Sequence, residues 1–223
     1  MIKAILFDLD NTLIDFMTMK KASCEAAVAA MIASGVHIEK ELALKILFEL
    51  YDQYGYEYNL IFQRFLEKTQ NTIDYKVLAA GIIAYRKVQQ SFLDPYPKVV
   101  PTLLALKQKG IKIGIVTDAP RLKAWMRLTE LGLQDFFDVV VAYGDVTETK
   151  PSRMPFERAL ELLHMKPEEV LMVGDMPEKD VKGAQALGMK ACFARYGWMR
   201  AEKPQTTADY EIDGIEEIIG IIL

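Results

Sequence analysis

The chain has 223 residues, 51% of them hydrophobic and 26% charged, the make-up of an ordinary globular protein with room for one sizeable core plus an insertion, or two modest domains. A formal net charge of −4 with no dense lysine or arginine tract excludes an electrostatic footprint for nucleic acid, and no apolar run is long enough to predict a membrane span. The two cysteines and two histidines lie too far apart for a redox or zinc spacing, so any metal should be a hard cation held by oxygen, in a protein expected to be cytoplasmic.

Met1 to Phe7 is nearly all apolar, as expected of a central parallel strand covered on both faces. It breaks abruptly into Asp8-Leu9-Asp10-Asn11-Thr12. Two carboxylates cannot leave water unpaired at the end of a buried strand, so something cationic should sit there. From about residue 16 to residue 92 the pattern is helical almost throughout: Met17, Cys24, Val28 and Met31 recur at helical spacing, then Glu39 to about Tyr51, Glu57 to about Lys68, and a run through Leu78, Ile82, Tyr85 and Val88. Asp94-Pro95-Tyr96-Pro97 closes that segment.

Strand and helix then alternate. A helix from about Val99 to Lys109 precedes the strand Ile111–Val116, which leads to Thr117. Helix Leu122–Leu131, strand Val139–Ala142, helix Pro155–Leu163 and strand Val170–Val173 follow, the last ending at Gly174-Asp175. Asp180 to Leu187 reads as helix and Lys190 to Ala194 as strand. A Gly/Pro-bearing loop then leads to a short strand near Tyr210 and a closing helix toward Ile219. This order predicts an α/β fold, a doubly wound parallel, Rossmann-like sheet with an all-helical insertion behind its first strand. Residues 1–15 and 95–223 would form the core, and 16–94 the insertion.

Ligands of open parallel sheets gather outside the carboxyl ends of the strands. Asp8 and Asp10, Thr117, and Asp175 all stand at such ends, and Lys150 follows the Val139 strand in a loop. A phosphate ester among three carboxylates would need a divalent ion and a fixed positive charge, which is the chemistry of phosphoryl transfer. Each residue also has a plainer reading. Thr117 can cap a turn, Lys150 can be a solvated loop lysine, and Asp175 and Asp180 can be a turn and an N-terminal helix charge.

The chain resembles the haloacid dehalogenase-like hydrolases over nearly its whole length. The resemblance rests on Phe7-Asp8-Leu9-Asp10-Asn11-Thr12-Leu13, then Ile115-Val116-Thr117-Asp118, then Lys150-Pro151, then Val173-Gly174-Asp175-Met176-Pro177-Glu178-Lys179-Asp180. It implies Asp8 as a nucleophile that becomes an aspartyl phosphate, and Asp10 as the acid that protonates the leaving oxygen and the base that activates water. It implies Thr117 and Lys150 as phosphate contacts, and Mg2+ held by Asp8, the Asp10 main-chain carbonyl and Asp175, with Asp180 in support. The helical insertion resembles the family's cap, where Lys20, Lys21, Arg64 and Arg86 are cations that can meet an anionic substrate or simply face solvent; Lys20 and Arg64 are the candidates for substrate contact.

Two departures stand out. Asn11 occupies a position where many relatives carry glycine, and the proline that often follows the Lys-Pro pair after one residue is displaced to Pro155. The expected activity is a Mg2+-dependent phosphatase for a small phosphorylated metabolite. The alternatives are a dehalogenase, which needs no metal and lacks the second acid, and a phosphate-binding or regulatory module without turnover. Oligomeric state is not legible in the sequence.

Overall fold

Strand β1 (Ala4–Phe7) is four apolar residues, each fully buried, and it sits in the middle of the sheet because both of its faces must be covered. The structure, a computed structural model, describes residues 1–199, 202 and 204–222; Arg200, Ala201 and Lys203, in the loop expected before Tyr210, lie outside the described residues. Among the described residues the chain divides into two compact units, Met1–Asp15 with Asp94–Leu223, and Phe16–Leu93.

The first unit is a sheet of six strands among the described residues, in the order β3-β2-β1-β4-β5-β6, with every pair parallel. The strands are β1, β2 (Lys112–Pro120), β3 (Val139–Tyr143), β4 (Val170–Gly174), β5 (Lys190–Ala194) and β6 (Tyr210–Ile212). Phe7 pairs with Ile115 of β2 on one side and Val173 of β4 on the other. The chain therefore winds outward from β1 in both directions, and the crevice beyond the carboxyl ends of β1 and β4 is the switch point where such sheets take their ligands. Leu6, Val116 and Met172 pack on one face against Phe156, Ala159 and Ala184, while Ile5 and Phe7 are as fully buried on the other.

The second unit is helical: α1 (Phe16–Ala33), α2 (Lys40–Tyr54), α3 (Ile61–Gln70) and α4 (Tyr75–Phe92). Its own core is built from Ala27, Met31, Leu47, Leu50, Phe65 and Leu78 among others. The third helix begins at Ile61 rather than Glu57, because the chain leaving Gly55 closes a turn in which Tyr58 N–H donates to the Gly55 carbonyl at 3.1 Å. Asp74 caps α4 by accepting from the N–H groups of Lys76 and Val77.

Three further boundaries differ from the sequence pattern in ways that bear on the site. β2 runs past Val116 to Pro120, with a register shift against β3 between those residues, so Thr117 and Asp118 lie within an irregular strand end. After α5 (Val99–Gln108) and α6 (Arg121–Glu130), helix α7 spans Arg153–Leu163. It starts at Ser152, whose hydroxyl accepts the Met154 N–H, so displaced Pro155 sits inside the first turn without harm. The single helix expected over Asp180–Leu187 is instead a π-helical turn at Pro177–Val181 followed by the short α8 (Lys182–Gln185). The chain ends in a 3-10 turn at Ile215–Glu217 and helix α9 (Ile218–Ile221).

Candidate active site

Asp8 is the first residue beyond β1, and its backbone N–H extends the ladder by donating to the Val173 carbonyl at 2.8 Å. That bond fixes the side chain at the switch point, where it is only 7% exposed. The turn that follows doubles back, with Asn11 N–H donating to the Ile14 carbonyl at 2.8 Å and Asn11 at φ 58°. Left-handed backbone is the reason glycine suits this position, and asparagine is the side chain that tolerates it best.

The cation demanded by the first strand is Lys150. Its Nζ donates to Asp8 Oδ1 at 2.6 Å and to the Val116 carbonyl at 2.9 Å, and lies 2.7 Å from Asp180 Oδ1. Lys150 is 3% exposed, so it is not a solvated loop lysine. Burial pulls its ammonium pKa down, but the charges of Asp180, Asp8 and Asp118 outweigh that and hold it above the ordinary lysine range. The lysine carries its charge at any ordinary pH.

Asp8, Asp175 and Asp180 gather their carboxylates so that one oxygen from each lies within 4.8 Å of the others, all three buried. Burial raises the Asp8 pKa from the ordinary 3.8 to about 7, with Asp180 and Asp10 adding to the rise and Lys150 opposing it. Asp175 is raised for the same first reason, with Asp8 and Asp180 contributing. One lysine does not balance three acids. A compact set of hard oxygen donors in charge deficit fits a divalent cation.

Local sequence explains how Asp180 reaches this point. Its backbone N–H donates to the Met176 carbonyl at 2.7 Å while its Oδ2 accepts the Met176 N–H at 2.9 Å, a reciprocal pair that shapes the π-helical turn. Gly174 supplies the room, since a Cβ there would lie 2.3 Å from the Asp180 carboxyl carbon. Thr117 is buried two residues beyond Ile115, the partner of Phe7, and its hydroxyl accepts the Ala119 N–H at 3.2 Å. Thus both readings of this residue remain compatible: it caps a local turn and it stands at the same sheet edge.

The site contains a cation that the sequence pattern did not single out. Arg127 of α6 places Nη1 at 2.7 and 3.0 Å from the two carboxylate oxygens of Asp10. Its signal was its position: Ala124, Arg127 and Leu128 share the buried face of the helix, where a charged side chain needs a partner. In the helical unit, Lys20 is not the surface lysine it resembles. It is buried, donating to the Tyr56 carbonyl at 2.8 Å with its Nζ 4.3 Å from the Tyr51 ring centre and 5.3 Å from that of Tyr85. Arg64 is exposed and paired with Glu67, and Lys21 and Arg86 are exposed.

A lysine lies between two aspartates at the switch point, beside a third, and comparison with known proteins shows the family in which this arrangement stands. A sequence model of the haloacid dehalogenase-like hydrolases matches residues 5–194. The chain belongs to that family. It is 34% identical over 222 residues to a glyceraldehyde 3-phosphate phosphatase of Methanocaldococcus jannaschii, covering 100% of this chain and 97% of the relative. It is 33% identical over 231 residues to the pyrophosphatase PpaX of Bacillus cereus, covering 99% and 96%. A crystal structure of an HAD phosphatase from Thermococcus onnurineus superposes with a TM-score of 0.74 at 30% identity, over 99% of this chain and 98% of that one. Haloacid dehalogenase-like phosphatases typically use a divalent metal, and the buried aspartates are a fitting place for one. Among the described residues, no helix is long and apolar enough to cross a membrane.

Proposed function

We propose that this hydrolase is a Mg2+-dependent phosphatase that releases inorganic phosphate from a small phosphorylated metabolite by way of an aspartyl phosphate on Asp8. The observation that carries the reading is the Lys150 ammonium held between Asp8 and Asp180 with Asp175 alongside. Receiving a dianionic phosphoryl group next to three carboxylates requires compensating charge already in place, and this arrangement supplies part of it without reorganisation.

In this reading Asp8 attacks phosphorus through its Oδ2, the oxygen that Lys150 does not bond. Asp10 protonates the departing oxygen and then takes a proton from the water that hydrolyses the acyl phosphate. Thr117 and Lys150 hold the phosphoryl oxygens. Asp8, the Asp10 carbonyl and Asp175 would hold Mg2+, with Asp180 supporting through Lys150 and the Met176 N–H; when bound, the ion supplies the remaining positive charge against which the phosphoryl group transfers. A dehalogenase would have no use for the second acid at Asp10.

The helical unit of residues 16–94 serves in this reading as the cap that selects the substrate, with Lys20 and Arg64 as its candidate contacts. The relatives named glyceraldehyde 3-phosphate phosphatases make a three-carbon phosphate the first substrate class to try. Both thiols are free and buried, in keeping with a cytoplasmic protein.

The test is phosphate release from p-nitrophenyl phosphate and from a panel of triose phosphates, phosphoglycolate, sugar phosphates, nucleotides and pyrophosphate. Turnover that requires Mg2+, is abolished by a chelator and is lost in Asp8→Asn supports the reading. Ligand binding without turnover in the wild type sinks it.

A further inference from the structure

Arg127 occupies a place where a helix normally keeps an apolar side chain. Its side chain is 8% exposed on the buried face of α6, and one of its nitrogens grips both carboxylate oxygens of Asp10. The Asp10 side chain keeps 22% of its own exposure, against 9% for Asp8 and 1% for Asp180. A buried guanidinium with little freedom of its own can fix the orientation of the Asp10 carboxylate.

We propose that Arg127 is a positioning residue that holds the Asp10 carboxylate in the orientation from which it activates the hydrolytic water. This rests on the roles of Asp8 and Asp10 given above. In the step concerned, Asp10 takes one proton from water, the oxygen–phosphorus bond to that water forms, and the bond from phosphorus to Asp8 breaks. The products are inorganic phosphate, the free Asp8 carboxylate and protonated Asp10.

The preceding half-reaction offers a way to isolate that role. Asp10 gives a proton to an alkoxide leaving group, but p-nitrophenolate departs without one. With p-nitrophenyl phosphate as substrate, loss of Arg127 therefore falls on the second half of the cycle and spares the first. A structural role, in which Asp10 merely neutralises a buried arginine, predicts no such asymmetry.

The experiment uses the full chain with Mg2+ and compares wild type, Arg127→Met and Arg127→Lys by steady-state and rapid-mixing kinetics on p-nitrophenyl phosphate. In Arg127→Met, kcat falls about 10- to 100-fold as expected for a misaligned proton acceptor, and KM falls with it so that kcat/KM stays within about threefold. A burst of p-nitrophenolate approaching one per active site appears as phosphorylated Asp8 accumulates. Arg127→Lys lies between, because an ammonium restores the charge but carries it on a more flexible stem.

A folded Arg127→Met variant with wild-type kcat overturns the inference, as does one whose kcat/KM falls alongside kcat with no burst, which would mark Arg127 as a ground-state contact. Should the methionine variant not fold, Arg127→Lys carries the same test, and wild-type constants from it are equally fatal. A wild type without Mg2+-dependent turnover, or an active Asp8→Asn, overturns the underlying phosphatase reading and this inference with it. Neither of those results resembles a failure confined to Arg127.

Discussion

Asp118 ties Lys150 to the sheet: its Oδ1 accepts the Lys150 backbone N–H at 2.9 Å, and its Oδ2 accepts Lys179 Nζ at 2.7 Å. One carboxylate at the end of β2 thereby joins the loop that carries Lys150 to the π-helical turn that carries Asp180. Asp118→Ala releases both, and a displacement of about 1 Å at the lysine is enough to lower kcat about 100-fold. Asp118→Asn keeps an acceptor for the Lys150 N–H and should stay within about tenfold of wild type, a difference read from kcat on p-nitrophenyl phosphate with Mg2+. Equal losses in the two variants would mean that the loop is held by something else.

Removing Lys150 itself exposes the reverse side of the same balance. Lys150→Met leaves Asp8 and Asp180 buried without their common cation, and breaking a buried pair in this way costs about 3–5 kcal/mol. The cost should be largest near neutral pH in metal-free protein and shrink in acid, where the cluster can take up protons. Urea denaturation at the two pH values measures it, and a variant as stable as wild type at neutral pH would contradict the account. Catalysis should fall at least about 100-fold, as when a preorganised donor is taken from a phosphoryl or acyl site.

The parallel sheet was legible because each of its longer strands is a short apolar run that ends in a polar residue or a turn, and Asp8, Thr117 and Asp175 mark three of those ends. Lys150 was legible through the charge it had to balance and through the Lys150-Pro151 pair that carries part of the family resemblance. Arg127 was not, since an arginine in an amphipathic helix resembles any solvated one until the helix is oriented and its partner 117 residues away is in place. Lys20 was hidden for the same reason: Tyr51 and Tyr85 come from two other helices, and no local pattern says that they converge on it. The break of the Asp180–Leu187 helix into a π-helical turn followed by α8 arises from side-chain bonding of Asp180 back to Met176, which competes with regular helix and leaves no periodic trace.

Gly174 gives a direct handle on the metal. A methyl group there meets the Asp180 carboxyl carbon and Oδ2 at 2.3 Å, too close for any real contact, so Gly174→Ala must turn Asp180 away from Lys150 and the Met176 N–H. Asp8 and Asp175 stay where β1 and β4 put them. The Mg2+ concentration for half-maximal activity should rise about 10- to 100-fold, the usual cost of losing a supporting contact around a metal. An unchanged Mg2+ requirement in folded Gly174→Ala would show that Asp180 does not support the ion.

The protonation of Asp8 sets how metal and stability depend on pH. In the metal-free fold its carboxyl holds a proton up to about pH 7, against 3.8 for an ordinary aspartate, because burial disfavours the charged form and Asp180 and Asp10 add to that effect. A folded-state value above the unfolded one means that this group's contribution is fully present below about pH 4 and is lost as pH rises through about 7. A divalent ion that takes the place of the proton must compete with it in acid and meets no competitor in base. Thermal melts with and without millimolar Mg2+ should therefore show a stabilisation that grows from about pH 5 to about pH 8, reaching about 2–3 kcal/mol when the ion is at a hundred times its Kd. Equal shifts at the two ends would exclude proton displacement from Asp8 and Asp175, and a larger shift in acid would reverse the sign on which this argument depends.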